Sequence, residues 1–262
     1  MEKVAGVFVS RADAEHAARK LLSMGVPRDK INLFAPAPTI RFVRGVAKGS
    51  SASEGDHVEI DNGQKGLAHE LELGPVTRAD VPDAGTIMAV GPAAEALLDL
   101  AGADFPAGKG NGSGRIAVHD LPRDELFVYT GAWRQGRSVL LALAEGRDEA
   151  ASTRQVLEAE GAKSVDAARE DWWKRLRRTE ELKYSHSGRD FGRDERVYRL
   201  GFEAAVNART RCKEYDQVLA EMVTDLEELQ QAYADADLEE PFRRGYESGR
   251  GYYEGICDQL AK

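Results

Sequence analysis

The chain has 262 residues, 42% hydrophobic and 31% charged, with a formal net charge of −9. That composition describes a soluble globular protein of one large or two ordinary domains, and the acidic surplus argues against a general nucleic-acid binder. Two cysteines, Cys212 and Cys257, are too few for a disulfide framework and sit in no CxxC, while no apolar run reaches signal-peptide or membrane-span length, so a cytoplasmic protein with no membrane span is expected.

The N-terminal stretch reads as strand, helix, strand. "KVAGVFVS" is short, apolar and rich in valine, as a buried strand should be. Ser10 is a plausible N-cap, with Asp13 competing, and Ala14, Ala17, Ala18, Leu21 and Leu22 share one helical face. Gly25 ends that helix, and "KINLFAP" is the second strand, closed by Pro36.

From about 38 to 115 the chain is polar and dotted with glycine, an insertion by composition. Within it, "GTIMAVG" at 85–91 suits another strand, "PAAEALLDLAGA" a short helix with proline in its first turn, and "PAGKGNGSG" a flexible linker. "LPRDELFVYTGAWRQGR" follows as a helix with Leu126, Phe127, Tyr129 and Trp133 on its apolar side. The first grammar then returns: strand "SVLLALAEG", helix "DEAASTRQVLEAEGA" stopped at Gly161, and a weaker strand "KSVDAA". Two such units predict an α+β fold, a ferredoxin-like split βαβ sandwich over residues 1–168, with helices on one face of a four-stranded antiparallel sheet. A doubly wound parallel sheet is the alternative, but further strands are lacking.

Residues 169–262 read as an all-helical region of about four helices: "EDWWKRLRRTEELKY", "ERVYRLGFEAAVNA", "YDQVLAEMVTDLEELQQAYADA" and "EPFRRGYESGRGYYEGICDQLAK". Residues 169–213 hold 13 Lys/Arg against 8 Asp/Glu, and residues 214–262 hold 4 against 13. The simplest account is that basic helices pack on acidic ones.

Several of these stretches resemble the bacterial general stress protein family with YflT-like, heat-induced domains. The resemblance rests on Gly6, Phe8, Ala14-Glu15, Gly25, Pro36, Asp124-Glu125, Tyr129, Gly136-Arg137 and Gly161-Ala162. It covers residues 3–37 and 120–168 and implies a stress-associated role with no catalytic residues to carry over. Relatives often hold an apolar glycine zipper between the two halves. Here that interval is crowded with charges, from Glu54 through Asp104, which is incompatible with spanning a bilayer.

Three constellations are candidates for chemistry. In "EGDHVEID", strand alternation would place His57, Glu59 and Asp61 on one face as metal ligands; a solvated charged strand is the simpler account, and no HExxH or DxDxDG spacing supports the metal. Trp172 and Trp173 beside Lys174, Arg175, Arg177 and Arg178 combine stacking surfaces with cations, as RNA binding would need. Packing competes there too, because Trp172, Leu176 and Thr179 share a helical face. No GxGxxG or Walker loop, GxSxG elbow or Cys-His pair points to a cofactor or a catalytic site.

The third constellation is a repeat. "YRLGFE" at 198–203 and "FRRGYE" at 242–247 coincide when shifted by 44 residues. In helices, Tyr198 and Phe202, like Phe242 and Tyr246, form i, i+4 ridges, and Arg199 to Glu203 and Arg243 to Glu247 are i, i+4 pairs. Gly201 and Gly245 each cost about 1 kcal/mol relative to alanine, a cost offset by close approach of another backbone, so two helices crossing at their glycines are expected. The functional alternative is a pocket of Tyr198, Phe202, Phe242, Tyr246, Tyr252 and Tyr253, with Arg199 and Arg243 for an anionic small molecule. A non-catalytic protein acting by binding or by self-association through an open sheet edge is the function expected.

Overall fold

The computed structural model describes residues 1–37, 73–106, 121–186, 188–211, 213–232 and 237–258. His57, Glu59 and Asp61, the expected metal ligands, and the linker after residue 106 lie outside them. Strand β1 (Glu2–Phe8), helix α1 (Arg11–Ser23) and strand β2 (Ile31–Pro36) make the first unit. Ser10 is its N-cap, its hydroxyl accepting the Asp13 N–H, and Gly25 follows the helix at φ +92°.

The insertion supplies a hairpin, β3 (Thr77–Val81) and β4 (Gly85–Val90), and helix α2 (Ala94–Leu100). Helix α3 (Leu126–Trp133) leads into the second unit: β5 (Ser138–Ala144), α4 (Arg147–Ala159) and β6 (Lys163–Ser164). The strand order is β3-β4-β2-β5-β1-β6, and every neighbouring pair is antiparallel. The four strands of the two units stand in the order β2-β5-β1-β6, the ferredoxin-like arrangement, and the hairpin extends it along β2.

Three features differ from the sequence expectation. The sheet has six strands because "TRADV" forms β3, whose charged Arg78 and Asp80 disguise an edge strand with only Ala79 and Val81 buried. The final strand shrinks to two residues because Ser164 caps a helix, its hydroxyl accepting the Ala167 N–H. Both faces of the sheet are covered rather than one. Helices α1 and α4 pack on Val4, Phe8, Leu33, Leu140 and Ala142, whereas Val7, Phe34, Val139 and Leu141 face α2, α3 and the C-terminal helices. Burial on both sides explains why β5 is an unbroken apolar run.

Among the described residues five helices follow: α5 (Val165–Ser185), α6 (Phe191–Val206), α7 (Tyr215–Glu221), α8 (Val223–Ala232) and α9 (Glu239–Asp258). The expected third helix is therefore two, parted at Met222. Residue 169 lies inside α5, and one apolar cluster runs from Val7 and Phe34 through Leu126 and Trp133 to Trp172 and Phe202. Gly131 lets this happen: a Cβ there would stand 2.9 Å from Trp172 Cδ1, so α3 meets the indole only because no side chain intervenes. Among the described residues no helix is long and apolar enough to cross a membrane.

Candidate functional site

The repeated hexads meet, at the crossing of α6 and α9. A Cβ built on Gly201 would stand 2.0 Å from Phe242 O and 3.0 Å from Tyr246 N, and one on Gly245 would stand 1.9 Å from Tyr198 O and 3.1 Å from Phe202 N. Exchanging the two copies, 201 for 245, 242 for 198 and 246 for 202, turns the first set of contacts into the second. One turn on, a Cβ on Gly249 would stand 2.6 Å from Phe202 O and 2.8 Å from Ala205 Cβ. Two small-residue ladders, Gly201/Ala205 and Gly245/Gly249, thus bring backbone onto backbone, close enough for Cα–H to carbonyl contacts.

Tyr198, Phe202, Phe242 and Tyr246 are buried around this crossing. Tyr198 OH and Ser248 Oγ donate to the buried Glu180 carboxylate at 2.8 and 2.5 Å, and Lys183 Nζ lies 2.8 Å from it. Burial, then the Glu180 hydrogen bond, push the Tyr198 hydroxyl up. Tyr246 OH donates to Lys213 O at 3.0 Å. Arg199 pairs with Glu203 at 2.6 Å and Glu170 at 2.5 Å, under the Trp173 ring. Arg243 turns back to Glu239, 2.5 Å away, rather than forward to Glu247, and lies over Tyr215. Glutamate on the N-terminal side is the better i, i+4 orientation. The six residues are therefore brought together as a packed crossing, with their rings in the core and carboxylates already on both arginines.

The Trp-Arg helix is also committed inward. Trp172 and Trp173 are 4% and 2% exposed, which leaves no ring face for a base. Trp173 Nε1 donates to Glu195, which Arg177 holds at 2.8 Å. Although burial opposes it, those contacts keep the Glu195 carboxyl below the usual range. Thr179, expected in the core, is exposed, and Glu180 faces inward in its place.

The concave site lies one turn beyond the crossing, where α9 runs past the hairpin turn, the end of α2 and α3. Leu126, Phe127, Trp172, Val206 and Ile256 make its apolar floor, and Thr130, Arg134, Arg211, Tyr252 and Tyr253 its polar rim. The cleft holds about 420 Å³ of free space, part of it continuous with solvent. Arg134 Nη1 donates to Tyr252 OH at 3.2 Å; its Nε is buried without a hydrogen-bond partner, with an Asp83 carboxylate oxygen 3.6 Å away. Arg211 donates to Leu100 O and lies over Tyr253, 4.9 Å from the ring centroid. Tyr252 and Tyr253 belong to the expected aromatic–arginine set; Arg134 and Arg211 were not in it, because nothing local in the sequence ties α3 and the end of α6 to α9.

Elsewhere, among the described residues, residues 2–5 of β1 have a strand partner on one side only, since β6 reaches only Gly6 and Val7. Beside them runs an open groove with Lys3, Arg154 and Lys163 set against Glu125, Glu158 and Asp166. Among the described residues no three His, Cys, Asp or Glu side chains are grouped to hold a metal ion. Comparison with protein-family models, with curated proteins and with solved structures gave no match.

Proposed function

We propose that this protein is a non-catalytic binding protein that receives a small anionic molecule in the cleft between the hairpin side of the sheet and the C-terminal helices. The observation that carries this reading is the convergence of Arg134, Arg211, Tyr252 and Tyr253 over the apolar floor of Phe127 and Trp172. An apolar concavity with a few convergent polar groups is the usual form of a small-molecule site. The residues described as lining it are arginines, tyrosines, a threonine and apolar side chains, a set suited to holding a ligand. The resemblance of residues 3–37 and 120–168 suggests that the binding serves a stress response.

Trp172 lines the cleft, so occupancy should change intrinsic fluorescence. A panel of small anions, amides and amines titrated onto the full chain, with thermal unfolding in parallel, tests the reading. Saturable change with at least one anion is expected. A flat response to every compound in both measurements would end it. A second reading, pairing of two copies through the edge of β1, is favoured by the one-sided pairing of residues 2–5 among the described residues. Light scattering that shows a monomer at every concentration would exclude it.

A further inference from the structure

Resting on the binding reading above, we propose that the ligand is a monocarboxylate with an apolar body, and that its carboxylate takes the place of Asp83 beside Arg134. Arg134 is the donor with capacity to spare. Its Nη1 is engaged by Tyr252 OH, but its Nε is buried and makes no hydrogen bond. The Asp83 oxygen at 3.6 Å balances the charge and is too far for a hydrogen bond. A carboxylate free to enter the cleft can close that gap and meet the guanidinium side-on, the arrangement in which Arg–carboxylate hydrogen bonds are strongest.

The position of Asp83 makes it displaceable. It stands in the hairpin turn at 82–84 with φ +58°, the one described non-glycine residue in the left-handed region, and its side chain is 44% exposed. On leaving Arg134 its carboxylate is hydrated at once, with no buried charge left behind. The exchange swaps one negative charge for another, so the electrostatics of the cleft are conserved.

Charge and size both select a monoanion. Arg134 is balanced by the Asp83 carboxylate, whereas Arg211 is held by Leu100 O at the end of α2 and by the Tyr253 ring. A doubly charged phosphate would need both guanidiniums free. The open cleft, about 420 Å³, leaves room for a carboxylate on a small apolar body. The body of the ligand would lie along Leu126, Tyr252, Tyr253 and Ile256.

The test is calorimetric and fluorescence titration of the full chain with benzoate and hexanoate, beside benzamide and inorganic phosphate. Benzoate and hexanoate are expected to bind, and benzamide to bind about tenfold more weakly or worse, the loss of one good hydrogen-bonded charge pair. Asp83→Asn keeps a residue that tolerates the left-handed region but removes the competing charge, and should tighten benzoate several-fold. Arg134→Lys, which keeps the charge without the fork, and Arg134→Gln should each weaken it about tenfold, with unfolding curves confirming that both fold. Benzamide binding as tightly as benzoate, or Asp83→Asn leaving affinity unchanged, overturns the inference. Binding of phosphate or benzamide in place of the carboxylates overturns it while leaving the cleft reading intact; silence from all four probes and from the wider panel overturns both.

Discussion

Helix α9 is used in two opposite ways along its length. At Gly245 and Gly249 it carries no side chains, and its backbone lies directly on α6. Two turns later it carries Tyr252, Tyr253 and Ile256, and those side chains border a space that is not filled. The crossing is tight because side chains were removed from both partners. The cleft is open because large, rigid side chains from α3, α5 and α9 meet without interdigitating. An anchor and a site on one helix are separated by only one to two turns, so the position of the tyrosines depends on how firmly the glycines hold.

The contrast can be broken most severely at the crossing. Gly201→Ala and Gly245→Ala each drive a Cβ into a carbonyl that belongs to a helix backbone, so each should cost about 3 kcal/mol or more in urea denaturation. Because the contacts are reciprocal, the two losses should agree within about 1 kcal/mol, and the double substitution should cost less than their sum once the helices have parted. A Gly245→Ala variant as stable as the unmodified chain would show that the crossing is not close-packed.

On the cleft side, Gly131→Ala presses on the Trp172 ring, 2.9 Å from the added carbon, and should cost about 1–3 kcal/mol with a shift in tryptophan emission. Tyr198→Phe makes the first hexad match the second at this position and removes one donor from buried Glu180, a loss of about 1 kcal/mol. The arginines should separate the two copies most finely. Arg199, 18% exposed between two carboxylates, should cost about 1 kcal/mol on replacement by alanine, whereas Arg243→Ala should leave the unfolding midpoint unchanged.

The anchor was legible in the sequence and the site was not. A 44-residue repeat with glycine at a fixed place inside a helical pattern predicts a backbone contact, since glycine in a helix is costly unless something needs the space. The two βαβ units were equally legible, as short valine-rich runs alternating with capped, glycine-stopped helices. β3 was hidden because an edge strand can carry Arg78 and Asp80 on its exposed positions. The second covered face followed from nothing local: "SVLLALA" reads as a strand with either face solvated until α3 and α5 are seen to close over it. The cleft depends on six segments distant in sequence, joined in part by the packing of Gly131 on Trp172 and of Gly201 on α9, so its arginines carried no pattern that periodicity could detect. The one functional hint that survived was the pair Tyr252-Tyr253, expected beside the hexad and found at the cleft instead.

Benzoate titrated onto Arg134→Gln, Arg211→Gln, Arg199→Ala and Arg243→Ala distinguishes anchor from site in a single series. The two crossing variants should bind as the unmodified chain does, and the two cleft variants should lose about tenfold or more. Loss of binding in Arg199→Ala or Arg243→Ala, with Arg134→Gln and Arg211→Gln unaffected, would put the chemistry at the hexads and contradict the division of α9 described above.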